Sequence, residues 1–192
     1  MAALVSFRNY TMALHEQSVG KSSDWRTPAY IFEALGCEFD VDVASPGASR
    51  TPWIPAKTFF THDSLSLNWH GLFKWMNAPF GGRGGLEPWL SKFFESDGGG
   101  ICLVPDRTSA PWWQHYAPRA DLILFVRRKI KFLDVNGTPG RWPAQGTTLL
   151  AIGERGCAAL ERAAEHGLGV LMRPMSSRRP LPSIAQICEV AV

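Results

Sequence analysis

Through its first two thirds the chain alternates short apolar, strand-like runs with stretches of helical periodicity, and few folds accommodate that order. In T-P-A-Y-I-F-E-A-L, Thr27 reads as a helix N-cap and Pro28 as the first helical position. Apolar residues at 28, 31, 32 and 35 then make one helical face, which Gly36 stops. Residues 39–44 alternate Phe, Asp, Val, Asp, Val, Ala, a short strand leading into a Ser-Pro-Gly turn. Residues 45–62, rich in Pro, Ser and Thr, read as irregular. Strands are expected at 72–76, ending in Asn77, and at 101–104, with helices at 87–95 (Pro88 in the first turn) and 110–116. Residues 122–126 carry the strongest strand signal, 129–133 continue extended, and Asn136-Gly137 and Pro139-Gly140 mark a turn and loop. A last strand at 147–152 and an alanine-rich helix at 156–166 follow. The expected fold is one α/β domain with a mostly parallel sheet, in which the late stretches 122–133 and 147–152 form an antiparallel β-hairpin. Residues 1–23 read as an N-terminal arm, 24–169 as the domain and 170–192 as a basic C-terminal tail.

Composition narrows the function. The 192 residues suffice for one buried core. No apolar run approaches the roughly 20 residues that cross a bilayer, and residues 1–17 lack the apolar core of a secretory signal, so no membrane role is expected. Cys37, Cys102, Cys157 and Cys188 are scattered without a C-x-x-C pair, which argues against a metal site or a disulfide framework and suits a reducing cytoplasm. The net charge of +3 is compatible with a polyanion partner. Arg127, Arg128, Lys129 and Lys131 cluster, as do Arg173, Arg178 and Arg179. Eight tryptophans are unusual for this length; most suit a core, and a few could line a slot for a flat ring.

The stretch W-M-N-A-P-F-G-G-R-G-G at 75–85 concentrates chemistry. In open α/β sheets ligands bind outside the carboxyl ends of the strands, where Asn77 stands. Its side-chain oxygen and the backbone carbonyl of Ala78 are neighbouring acceptors, suited to the two hydrogens of an exocyclic amino group. Accepting both draws the nitrogen toward tetrahedral geometry and frees its lone pair. Pro79 restricts the backbone, Phe80 offers a face to a planar base, and the glycines permit close approach of a nucleic-acid backbone.

Further segments accompany it in order: D-W-R-T-P, F-D-V-D-V-A-S and H-D-S-L-S-L-N-W before it, then L-V-P-D-R-T-S-A-P-W-W and R-R-K-I-K-F-L after it. Over about residues 24–152 this series resembles the phage-type DNA N6-adenine methyltransferases. The resemblance implies a Rossmann-like methyltransferase domain binding S-adenosyl-L-methionine across the strand ends. Thr27, Pro28 and Phe32 would help hold this cofactor. Asp40, Asp42 and Ala44 would meet its amino-acid and ribose groups, and Asp63, Ser64 and Leu65 would border its adenine. Asn77, Ala78, Pro79 and Phe80 would form the catalytic tetrad.

Two departures stand out: Ala78 occupies a position that is usually proline, and Ser45-Pro46-Gly47 replaces a glycine-rich first motif. The implied reaction is in-line methyl transfer to adenine N6 of a base flipped out of double-stranded DNA. Arg83, Arg107, Arg127, Arg128, Lys129 and Lys131 would meet phosphates. The 134–146 loop, with Arg141 and Trp142, would touch bases with short or relaxed specificity. The resemblance places the protein in a bacterial host's cytoplasm, of phage or prophage origin, where evasion of restriction–modification is a family-level expectation. Transfer to cytosine N4 or an RNA base, or a non-catalytic nucleic-acid-binding role, stays open as an alternative.

Overall fold

The structure, a computed structural model, describes residues 25–80 and 85–175. The expected arm at 1–23, Arg83, Arg178, Arg179 and Cys188 lie outside the described residues.

The elements run α1 (Ala29–Leu35), β1 (Phe39–Asp42), β2 (Ala56–Phe59), β3 (Lys74–Met76), α2 (Glu87–Glu95), β4 (Gly100–Pro105), α3 (Pro111–Tyr116), β5 (Leu122–Val126), β6 (Thr147–Ile152), α4 (Glu154–Glu165) and β7 (Gly169–Met172). The strands form one seven-stranded sheet in the order β2-β1-β3-β4-β6-β5-β7. Pairing is parallel from β2 through β4 and antiparallel at β4–β6, β6–β5 and β5–β7. Strands β1 to β5 therefore share one direction, and β6 and β7 are reversed. The architecture is α/β with a mixed sheet.

Each central strand sends alternate side chains into two cores, as a pleat with period two requires. Ile101 and Leu103 of β4, with Phe39, Phe73 and Trp75, pack against Phe32 of α1 and Leu160 of α4. Cys102 and Val104 face the other way, joining Met76, Leu90 and Phe93 of α2, and Trp113 of α3. Buried Lys74 opens β3 and donates to the carbonyls of Leu72 (3.0 Å) and Asp97 (2.6 Å), tying that strand to the segment after α2. Burial pushes its pKa down to about 8. Among the described residues no helix is long and apolar enough to cross a membrane.

Several sequence expectations need correction. Pro28, not Thr27, occupies the N-cap position of α1, with extended φ −70° and ψ 156° and no side-chain cap; Thr27 is buried ahead of it. The stretch read as irregular contains β2, an edge strand whose Lys57 and Thr58 are exposed. Residues 129–133 do not join the sheet, and only Leu133 forms bridges, to Arg26 and Pro139. The late hairpin exists, but β6 inserts between β4 and β5. The sheet continues beyond 169 into β7, inside the stretch assigned to the basic tail.

The Gly98-Gly99-Gly100 run turns the chain from α2 into β4. At Gly98, φ is +84°, and an added Cβ would stand 2.5 Å from the Leu72 carbonyl oxygen and 2.6 Å from the Gly71 carbonyl carbon. Gly71 has a similar φ of +73° with open space around it. Gly71→Ala should therefore lose only the left-handed preference, about 1 kcal/mol. Gly98→Ala should cost about 2 kcal/mol more, because the backbone itself must shift. Urea unfolding of both variants checks this; equal losses would count against it.

Candidate functional site

Because β1 lies between β2 and β3, the chain leaves β1 to one side and returns to the sheet on the other. A crevice opens at such a switch, outside the carboxyl ends of the two diverging strands. The structure has a cavity of about 630 Å³ there, within the range of small-molecule sites. One wall is the turn after β1, Ala44 to Gly47, with Ser49 and Arg50; the other is Asn77 and Pro79 after β3, and Trp25 and Thr61 complete it.

The Asn77 amide is oriented by a distant part of the chain. Its Nδ2 donates to the backbone carbonyl of Trp25 at 3.2 Å. With the nitrogen so engaged, Oδ1 remains as an acceptor on the same wall. Ala78 is buried in the core beneath, while the Phe80 ring is 43% exposed. An acceptor-bearing amide and an open aromatic face thus stand at one strand end.

Asp42 closes β1 and is 2% exposed. It accepts from the Ala44 amide at 3.2 Å, and the Ser45 Oγ in turn accepts from the Gly47 amide at 3.0 Å, so the carboxylate underpins the turn that forms the cavity wall. Burial raises its pKa to about 7, against the opposing pull of the Ala44 amide and the Ser45 hydroxyl.

Of the residues expected to contact a cofactor, only Ala44 lies on the cavity wall, with Asp42 just under it. Asp40 is engaged elsewhere: it accepts from the Phe73 amide at 3.0 Å and pairs with Lys57 at 3.0 Å and Arg155 at 3.6 Å. The Phe73 amide, ahead of Lys57, holds its pKa below the usual carboxylate value. Thr27 and Pro28 are buried, and Phe32 packs edge-on against Trp75 in the core. Asp63 is exposed in the left-handed region at φ 49°, at the N-cap position of a short 3-10 turn over Ser64–Ser66 but without a side-chain cap. The Ser64 carbonyl takes the Trp69 indole N–H, and the Leu65 carbonyl takes Lys92. None of these three lines the cavity. Sequence reasoning missed Trp25, Ser49, Arg50 and Thr61 as wall residues. Trp25 stood in plain view within D-W-R-T-P, whereas nothing local marked Arg50 or Thr61.

The basic residues follow the carboxyl ends of β4 and β5, on the side of the sheet where the crevice opens. Arg107, Arg127, Arg128, Lys129, Lys131, Arg141 and Trp142 are all exposed. The 134–146 loop is fastened there: Lys129 donates to the Ala144 carbonyl at 2.8 Å, and Arg107 Nε donates to Gln145 Oε1 at 3.0 Å. The Thr148 hydroxyl donates to Asp106 just past the loop. Lys131 Nζ sits 4.2 Å from the centroid of the Trp142 ring, which is 61% exposed.

The buried acid gives a pH signature. Asp42 binds its proton to about pH 7 in the fold, against an ordinary value of 3.8. Its contribution to stability is therefore fully present below about pH 4, declines as pH rises from 4 to 7, and is gone above. Relative to the wild type, Asp42→Asn should gain about 2–3 kcal/mol between pH 5 and pH 8. Urea unfolding at the two pH values tests this, and a constant difference would contradict it.

No protein family, curated protein or solved structure matches the chain, so the chemistry of the site is argued from its own residues.

Proposed function

We propose that the protein transfers a methyl group from S-adenosyl-L-methionine to the N6 amino group of adenine in double-stranded DNA. The observation that carries this reading is the Asn77 amide. Its nitrogen is held by Trp25, which leaves Oδ1 as an acceptor at the mouth of a cavity, three residues before an exposed aromatic ring. On this reading the mixed sheet is a Rossmann-like methyltransferase domain, and the ordered motifs that resemble the phage-type DNA adenine methyltransferases support it.

The cavity wall fits the cofactor's chemistry. Arg50 offers a guanidinium for an amino-acid carboxylate; Ser45, Ser49 and Thr61 offer hydroxyls for ribose and ammonium; Trp25 offers an indole face for adenine. When bound, the cofactor supplies an electrophilic methyl group. The chain supplies position and polarisation. Asn77 Oδ1 and the Ala78 carbonyl accept the two N6 hydrogens, and Phe80 stacks on the flipped base. An amide cannot take a proton at neutral pH, so the N6 proton passes to water after transfer. Flipping the base costs a few kcal/mol, which stacking on Phe80 and the pocket contacts offset. Arg107, Arg127, Arg128, Lys129 and Lys131 are exposed and are the phosphate contacts of this reading, with Arg141 and Trp142 for base contacts.

Incubation with tritiated S-adenosyl-L-methionine and unmethylated DNA should place label in N6-methyladenine. Asn77→Ala should reduce transfer about 100-fold or more while leaving cofactor affinity nearly unchanged. Label in N4-methylcytosine or in RNA would redirect the reading to another amino group, and DNA binding without label would reduce it to a binding role. Phe80→Ala should raise the KM for DNA about tenfold, the loss expected for one stacked base; an unchanged KM would remove the stacking role.

A further inference from the structure

We propose that Trp25 is a positioning residue for Asn77 and that Gly140 is the seat for its indole. This rests on the amide-acceptor role given to Asn77 above. An asparagine amide is nearly symmetric in shape, and a half-turn about its last bond exchanges oxygen for NH2. Toward an amino group the two orientations are opposites, since one accepts its hydrogens and the other meets them with hydrogens of its own. Something must choose, and the Trp25 carbonyl does so by taking Nδ2 at 3.2 Å.

Trp25 is in turn held from its far side. Arg26 and Leu133 exchange backbone hydrogen bonds at 2.9 Å in both directions, Leu133 bridges to Pro139, and the Gly140 amide donates to the Phe132 carbonyl at 2.8 Å. These short antiparallel segments bring Gly140 against the indole. A Cβ added at Gly140 would stand 2.5 Å from Trp25 Cζ3 and 2.9 Å from Cη2. Gly140 is not in the left-handed region, so its lack of a side chain serves space rather than backbone conformation. Arg141 and Trp142 follow directly. The loop assigned to DNA and the amide assigned to the target base are thereby linked through one residue.

The test reads the amide directly. In protein labelled with 15N-asparagine, the Asn77 side-chain NH2 resonances are identified by their loss in Asn77→Ala. Gly140→Ala, and more strongly Gly140→Val, should shift those resonances. In the transfer assay at saturating cofactor, Gly140→Ala should lower kcat about tenfold with the KM for DNA within about twofold, the pattern of lost transition-state positioning, while the cofactor KM rises because the displaced indole also faces its adenine. With Trp25→Ala as background, where no ring remains to be displaced, Gly140→Ala should add nothing. Unmoved Asn77 resonances in both Gly140 variants, or an equal effect of Gly140→Ala with and without the indole, would overturn the proposal. Shifted resonances in a protein that transfers no methyl group would support the clamp while removing the functional reading on which its catalytic meaning rests.

Discussion

The double pairing of β1 is the constraint from which the rest follows. The strand has only four residues, yet Val41 faces Thr58 of β2 on one edge and Lys74 of β3 on the other. A chain that must fill both edges of one strand in succession has to cross over it, and the crossing leaves a crevice at its carboxyl end. The two aspartates of β1 support this from opposite ends. Asp40 accepts from the Phe73 amide and sits beside Lys57 and, more weakly, Arg155, so its charged form is favoured and its pKa is lowered. That stabilisation is present above the unfolded-state pKa and disappears as pH falls through the folded one. Asp42, buried with an amide and a hydroxyl for company, is pushed the other way. Two carboxylates on one short strand thus do separate work: one brackets β1 to its neighbours, the other shapes the turn over the cavity.

The reversed strand β6 has a comparable consequence at the other half of the sheet. Because β6 is antiparallel to β4, Thr147 at its start lies opposite Pro105 at the end of β4. The 134–146 loop must therefore arrive at the same sheet edge as the crevice. Its contacts with Arg107 and Lys129, and the pairing of Leu133 with Arg26, fix it there. A parallel β6 would have delivered this loop to the opposite edge. The reversed strand β6 thus keeps the 134–146 loop, with Arg141 and Trp142, on the side of the sheet where β3, β4 and β5 end.

This division also explains what the sequence could reveal. Strands β4, β5 and β6 are buried on both faces, so their apolar runs are continuous and were visible, as was α2, whose bounds of 87–95 match the expectation. Edge strands β2 and β7 expose half their residues: β2, A-K-T-F, carries no apolar run and reads as irregular, whereas β7, G-V-L-M, is apolar but only four residues long and runs straight into Arg173, so it reads as a tail. Asn77 was legible because strand end, amide, proline and aromatic are adjacent in sequence. Its partner was not: Trp25 is 52 residues away, and nothing local announces a contact made across the fold. Arg50 and Thr61 reach the cavity for the same long-range reason. The partners of Asp40 were equally hidden, because an aspartate two residues before a strand end looks the same in sequence whether it faces a ligand or a lysine.

Ala78 is where these threads meet. A proline there would fix its backbone directly, which is the obvious way to stiffen an asparagine just before it. Ala78 nevertheless precedes Pro79, and a residue before proline is already confined to extended conformations. Its methyl group is also enclosed in the core with Val41, Met76 and Leu90. What neither restriction can set is the rotation of the neighbouring amide, since that lies in the Asn77 side chain. The Trp25 carbonyl acts on that one remaining freedom. The alanine therefore leaves the site no looser than its backbone already is, and the orientation of the acceptor depends on a hydrogen bond from the start of the domain.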